Sequence, residues 1–195
     1  MPETNLLNFL QSSSHLSVLK AKEVADCFRA LHISKGDFLL REGQVSDTYY
    51  FLESGFMRAF AINTEGNDIT TGFYSPGRVV FEVASFFNRL PSGENLLALT
   101  DCRGYVLSFE ELNRLFHSMP EFREFGRSIL VKGFAELKQR MLATITETAP
   151  DRYNALVKAN PEILQHVPLK HIATFLGITD SSLSRIRKEL SVRHA

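Results

Sequence analysis

The chain has 195 residues, of which 44% are hydrophobic and 23% are charged, and its formal net charge is zero. This length is enough for two small domains, and the neutral balance argues against a uniformly basic protein that coats DNA. The charge is uneven, however, because the segment from Asp151 onward has seven Lys and Arg residues against four Asp and Glu residues. A local basic face is therefore available in the C-terminal segment.

The two cysteines, Cys27 and Cys102, are isolated in the sequence. Without paired spacing they exclude a cysteine-ligated iron–sulfur cluster or zinc ribbon, and they make a disulfide framework a poor interpretation. The sequence shows no signal peptide and no transmembrane run, so we expect a soluble, cytoplasmic protein with no membrane partner.

Residues 1–31 are expected to form short helices, with Val18, Leu19, Val24, Phe28 and Leu31 on the apolar face. Between Ile33 and Ser108 the pattern changes to short apolar or alternating runs separated by glycine. Many short strands at nearly even spacing are typical of an antiparallel barrel or jelly roll, and the sequence TEGN at residues 64–67 is a good hairpin turn. The predicted strands are residues 37–40, 48–53, 56–63, 68–73, 96–100 and 104–108.

Two helices are predicted after the barrel: a short one at residues 109–118 and a long one from Pro120 to about residue 145. A stripe as broad as that of the long helix fits packing against the barrel and against a partner at once. The alternative is a long helix that packs only within its own chain. The residues of the stripe are Phe122, Phe125, Gly126, Ile129, Leu130, Gly133, Phe134, Leu137 and Met141. Residues 144–150 are the expected hinge.

Residues 167–190, VPLKHIATFLGITDSSLSRIRKEL, contain two helical patterns around a break. Pro168 suits the first turn of the first helix, and Gly177 ends that helix. Thr179 can cap the second helix. The apolar positions recur at three and four residues, and they are Leu169, Ile172, Ala173 and Leu176 in the first helix and Leu183, Ile186 and Leu190 in the second. This arrangement is typical of a helix-turn-helix.

The exposed face of the second helix has short polar residues in its first turn, including Asp180, and basic residues after it. A helix in the major groove reads bases with its first turn and holds phosphates with flanking basic groups. We therefore predict a DNA-binding surface in which Arg185 reads a base and the neighbouring basic residues hold phosphates. Its residues are Thr179, Ser181, Ser182, Ser184, Arg185, Arg187 and Lys188. The alternative is an ordinary pair of amphipathic helices.

This motif resembles the helix-turn-helix of the Crp/Fnr family of bacterial regulators, and the run LSRI at residues 183–186 matches that family's recognition helix closely. Asp180 and Ser181 stand where the family often has a charged pair. The glycine-punctuated barrel, with residues 50–52 running into Gly55, resembles the cyclic-nucleotide-binding domain of the same family. The resemblance covers nearly the whole chain, and it implies that the long helix dimerises and joins the barrel to the DNA-binding segment.

A metal-dependent jelly-roll enzyme is the main alternative for the barrel, and such enzymes hold the metal with clustered histidines. None of the six histidines lies between Ile33 and Phe116, and no Ser/His or Cys/His pairing is placed to form a nucleophile. We therefore predict neither an enzyme nor a cofactor or metal site.

The resemblance also implies where an effector would bind, within residues 79–101 and on the long helix. Glu82 falls on the glutamate that holds the ribose hydroxyl in the family. Phe81 stands at the position of a glycine, and Ser92 at that of the arginine that pairs with the phosphate. Leu137 and Lys138 replace small hydroxyl residues, so the nucleotide site is not expected to be kept. The predicted pocket comprises Phe81, Glu82, Val83, Ser92, Asn95, Leu137 and Lys138.

The sequence thus predicts an α+β chain with an N-terminal antiparallel jelly-roll barrel (residues 1–118), a dimerisation helix with its hinge (119–148) and an all-α helix-turn-helix domain (149–195). The expected function is transcriptional regulation, with an effector other than cAMP or with none. The expected partners are a palindromic operator in double-stranded DNA, a second copy of the chain, a small-molecule effector and RNA polymerase. The competing hypothesis is a cyclic-nucleotide-binding module that acts through protein contacts.

Overall fold

The computed structural model describes residues 3–12 and 15–193 of the chain. The strands are β1 (Arg29–Ile33), β2 (Phe38–Leu40), β3 (Thr48–Ser54), β4 (Met57–Ile62), β5 (Asp68–Tyr74), β6 (Arg78–Val80), β7 (Asn95–Ala98) and β8 (Cys102–Ser108). The helices are α1 (Glu3–Leu10), α2 (Val18–Ala25), α3 (Val83–Asn88), α4 (Phe109–Ser118), α5 (Pro120–Thr146), α6 (Ala149–Ala159), α7 (Ile163–His166), α8 (Leu169–Leu176) and α9 (Asp180–Arg193).

The strands form two antiparallel four-stranded sheets, in the orders β1-β8-β3-β6 and β2-β7-β4-β5. Alternating side chains from both sheets, among them Leu40, Leu52, Met57 and Leu96, form one continuous buried core. The β4–β5 turn uses Gly66 at a φ of 82°, a conformation that residues with a side chain rarely adopt. The predicted jelly-roll-like barrel and the α+β class are confirmed.

One prediction is wrong at the start of the barrel. Residues 29–31, expected in a helix, belong to β1, which pairs with β8 along five residues from Arg29↔Val106 to Ile33↔Cys102. Only Ile33 of this edge strand is buried, so the strand shows little alternation of apolar and polar residues in its sequence. Its place in the sheet is determined by its pairing with β8 and not by a pattern of its own. The barrel therefore includes His32, which is exposed. Within residues 3–12 and 15–193 no group of three or more potential metal ligands is found.

A second core lies where α1, α2, α4 and the first turns of α5 pack on the outside of the β1-β8-β3-β6 sheet. Phe122 and Phe125 of α5 are fully buried there. A Cβ at Gly126 would lie 2.6 Å from the Phe116 ring of α4. The close approach that this glycine permits is therefore with a helix of its own chain.

Beyond Ile129, the long helix α5 presents large apolar side chains to the outside. Phe134 is 72% exposed, Leu137 61% and Ile145 73%, and Leu130, Val131, Met141 and Leu142 accompany them. A Cβ at Gly133 would meet no atom within 4 Å. An exposed apolar surface of this kind is typical of an interaction face.

In the part of the chain that the structure describes, no helix is long and apolar enough to cross a membrane.

Candidate DNA-binding surface and effector pocket

The turn between α8 and α9 has the two features that the sequence predicts: Gly177 ends α8, and Thr179 caps α9. Gly177 closes α8 in the left-handed conformation, with a φ of 68°, and the N–H of Ile178 donates to the carbonyl of Ala173. Thr179 caps α9 by accepting from the N–H of Ser182 at 3.2 Å. Together these bonds satisfy backbone groups at both helix ends and set the angle between the two helices.

A small core holds the two helices together and fixes which face of α9 is exposed. Its buried members from this pair are Ile172, Ala173, Leu176, Leu183 and Ile186, supported by Tyr153, Ile163 and Val167 from α6, α7 and the segment after them. Two details differ from the sequence reading. Pro168 is the N-cap residue of α8 rather than a member of its first turn, and Leu169 remains 36% exposed.

The opposite face of α9 carries the side chains that were predicted to contact DNA. Ser181, Ser184, Arg185, Arg187 and Lys188 are exposed, and Ser182 is half-buried. The Thr179 hydroxyl lies 3.0 Å from that of Ser181 and 2.9 Å from that of Ser182. The first turn therefore presents a cluster of three hydroxyl groups that can donate and accept, next to guanidinium groups that can only donate.

The predicted effector residues fall into three groups along the chain, at the start of α3, around the start of β7 and on α5. Glu82 caps α3, since its carboxylate accepts from the N–H groups of Ala84 and Ser85, whereas Val83 beside it is 48% exposed. Phe81 packs edge-on against Phe86 at 5.3 Å between ring centroids.

The second group braces the loop after β2. Ser92 and Asn95 are buried, and the Asn95 side chain accepts from the N–H of Glu42 at 3.0 Å. The N–H of Ser92 donates to the carbonyl of Gln44, and its hydroxyl donates to that of Glu94. The third group, Leu137 and Lys138 on α5, is exposed. A cleft of about 280 Å³ near this loop is lined by other residues: Leu39, Leu40, Gln44, Val45, Ser46, Asp47, Thr48 and Leu96.

A polar cluster that sequence reasoning missed lies near Glu82. The carboxylate of Glu94 accepts a hydrogen bond from the Thr71 hydroxyl, and burial, followed by the nearby negative charge of Glu82, raises the pKa of Glu94 even though the Thr71 bond works in the opposite direction. Arg140 of α5 lies near enough to interact with Glu94, and burial lowers the pKa of Arg140. Glu94 lies in a short polar run, SGEN at residues 92–95. That run is the sequence signal from which Glu94 could have been identified.

Comparisons with known proteins agree with this architecture. The family profile of the Cyclic nucleotide-binding domain matches residues 30–119. The chain is 27% identical over 125 residues to the Transcriptional activator protein Anr of Pseudomonas protegens, which covers 64% of the chain and 50% of that protein. It is 25% identical over 170 residues to the corresponding activator of Pseudomonas aeruginosa, which covers 81% of the chain and 68% of that protein.

Its fold superposes with a TM-score of 0.70 and 14% identity on the crystal structure of a Eubacterium rectale protein assigned to the crp/fnr family of transcriptional regulators, covering 95% of the chain and 88% of that structure. The chain is therefore similar in sequence to the two Pseudomonas activators and in fold to this crp/fnr structure. It spans from half to about two thirds of the length of the two Pseudomonas relatives. Those two relatives are named as transcriptional activators.

Proposed function

We propose that this chain is a DNA-binding transcriptional regulator of the Crp/Fnr type that acts as a homodimer in the cytoplasm. The observation that carries the proposal is the α8–Gly177–α9 unit. It has a closed core on one side and, on the other, an exposed row of hydroxyl and basic side chains that begins at the helix N-terminus. This is the order of groups that a recognition helix needs, because the first turn enters the major groove while basic groups further along meet the phosphates.

The dimer is proposed to form through the outward stripe of α5. Two copies would place two α9 helices on one face of the assembly, so the operator would be a palindrome in double-stranded DNA. RNA polymerase is the further partner that such a regulator would need.

The effector is proposed to be something other than cAMP, or to be absent. Phe81 occupies the position where a glycine would let a phosphate approach the backbone, and the Ser92 hydroxyl is engaged with the carbonyl of Glu94. Ser92 stands at the position of the family's arginine, and two residues later the chain has the partly buried carboxylate of Glu94. A bound phosphate would therefore meet negative charge where it needs a charge-assisted donor.

A mobility-shift assay on genomic fragments tests the DNA-binding proposal. The wild-type chain should retard a subset of fragments, and binding should weaken steeply with salt because phosphate contacts release counterions. A protein that retards none of the fragments at low salt, while sedimenting as a folded dimer, would refute it and would favour a module that acts through protein contacts.

A further inference from the structure

The first helix of the helix-turn-helix contacts the barrel as well as α9. Strand β5 is the edge strand of its sheet, and α8 lies along it. The N–H of Thr70 donates to the Thr174 hydroxyl at 3.2 Å, and the Phe73 and Phe175 rings pack at 4.9 Å between centroids. Helix α8 therefore covers a sheet edge whose backbone groups would otherwise face solvent.

A buried arginine lies at the centre of this contact. The side chain of Arg58 is only 4% exposed, and one of its terminal nitrogens lies 2.7 Å from Asp68 Oδ1, 3.2 Å from Thr70 Oγ1 and 3.0 Å from Nδ1 of His171 on α8. A guanidinium group can only donate, so the Arg58–His171 contact is a hydrogen bond only when Nδ1 carries a lone pair. In this arrangement His171 is neutral and carries its proton on Nε2.

A second proton on His171 is incompatible with the contact. The imidazolium form has no acceptor for Arg58, and it would place a positive charge beside a buried positive charge. The charged groups that face the ring are Arg58 from β4, Asp68 from β5, Lys170 from α8 and Asp180 from α9. Burial and then the Arg58 charge lower the pKa of His171, while Asp68 is already bonded to both terminal nitrogens of Arg58.

We propose that His171 is a proton-binding site that controls the docking of α8 on the barrel. The neutral imidazole holds α8 against β5 by accepting from Arg58, and the protonated imidazole releases it. Once α8 is released, the helix-turn-helix can rotate relative to the barrel, with residues 147–148 between α5 and α6 as the hinge. This device goes beyond the proposed function, since it concerns docking within one chain and needs no DNA.

The sign of the pH dependence follows from linkage. The docked state binds the proton less readily than the undocked state, so undocking takes up a proton. The contribution of His171 to docking is therefore fully present above the ordinary histidine pKa of about 6.5. It weakens as the pH falls below that value, by at most about tenfold per pH unit, until the docked form itself binds the proton.

Amide hydrogen exchange in the full-length protein, followed by NMR, tests the proposal. After correction for the intrinsic effect of pH, the protection of the Thr70 amide should fall by up to tenfold per pH unit below about pH 6.5. Amides of the central strand β4 should keep their protection, which separates undocking from acid unfolding. A Thr70 amide whose protection does not change with pH, or changes only together with β4, would overturn the proposal.

Two variants and one direct titration complete the test. His171→Asn keeps an acceptor near the position of Nδ1 but cannot be protonated, so Thr70 should stay protected at every pH. The matched control is His166→Asn, at another histidine that contacts the barrel, whose ring stacks on Phe56 at 4.5 Å between centroids. The control should keep the wild-type pH dependence. If His171→Asn keeps that dependence, or His166→Asn loses it, the assignment is wrong.

The titration of the His171 ring carbons in the wild-type protein does not depend on how either variant folds. It should give a pKa below the ordinary value, and a value at or above about 6.5 would contradict the proposal.

Discussion

At the scale of single residues, the exposed face of α9 separates two kinds of basic side chain. Arg185 lies one turn after Ser181 and Ser182, on the same face of the helix at i+4 and i+3, and it is exposed. Its planar guanidinium can donate to O6 and N7 of one guanine together. Arg187 is also exposed, but it lies to one side of this face, where phosphates run.

The first prediction compares these two arginines. Arg185→Ala should relax the preference for one base in each half-site, at a cost of about 1–3 kcal/mol for the preferred sequence. Arg187→Ala should weaken all sequences alike and reduce the dependence of affinity on salt. Competition binding with single-base operator variants, measured at two salt concentrations, distinguishes the outcomes. An Arg185→Ala protein with the wild-type base preference would refute the role given to this residue.

The second prediction concerns cyclic nucleotides and the residues that replace their phosphate site. Losing the arginine removes a charge-assisted pair worth on the order of 2–3 kcal/mol, or about thirty- to hundredfold in affinity. Calorimetric titration should therefore show weak or no binding of cAMP and cGMP. Glu94→Gln removes the opposing carboxylate and should tighten any residual binding, whereas Glu65→Gln, at the β4–β5 turn, should not. Micromolar or tighter binding by the wild-type protein would show that the pocket is kept.

At the scale of elements, α5 divides into an inner part and an outer part. Phe122 and Phe125 belong to the core of the barrel side, while Phe134, Leu137 and Ile145 face outward in a single chain. The broad stripe seen in the sequence is thus the sum of two narrower faces. The exposed one is unexplained by any contact within the described chain, and a second copy of α5 is the partner that we propose for it.

The third prediction tests that face. Phe134→Glu would bury an unpaired charge from each copy at the helix crossing and should cost about 3–5 kcal/mol of association. Gln139→Glu adds the same charge on α5 but away from the apolar stripe, so it should leave the dimer intact. Sedimentation equilibrium measures both. Equal dimer stability for the two variants would place the interface elsewhere.

The elements that sequence reasoning predicted are those whose signal is local. The hairpin turn at Gly66 and the helix stop at Gly177 depend on backbone conformations that few other residues adopt. Strands β1 and β6 were missed because each is a short edge strand whose pairing is set by its neighbour, β8 or β3. For Gly126, the periodicity gave the right face of the helix but not the identity of the packing partner, Phe116.

The residues of the candidate sites were also predicted only in part. The exposed face of α9 could be deduced because its buried face is periodic. Glu94 and Arg140 could not be placed together, since they come from a loop beside β7 and from α5, and their proximity depends on the fold. The contact between His171 and Arg58 was not predicted, because His171 lies beside the buried stripe of α8, on the face that contacts β5.

At the scale of the whole molecule, three surfaces are arranged around one long helix. The inner end of α5 packs against the outside of the barrel, and its outer face is the surface proposed to pair with a second copy. Arg140, near the C-terminal end of α5, stacks on Phe175 of α8 at 4.1 Å from the ring centroid. Arg140 also donates to the carbonyl of Thr71 in β5. A change in how two α5 helices pack would therefore reach the helix-turn-helix through direct contacts rather than over a distance.

The fourth prediction, and the most direct test of the central claim, is selection of DNA sequences from a random duplex pool by the full-length protein. If the chain is a dimeric DNA-binding regulator, the selected sequences should converge on a palindrome whose half-sites are about 34–36 Å apart, one turn of DNA. Phe134→Glu should lose the palindrome while its barrel remains folded. A wild-type protein that selects no common sequence, or a single half-site without symmetry, would contradict the account.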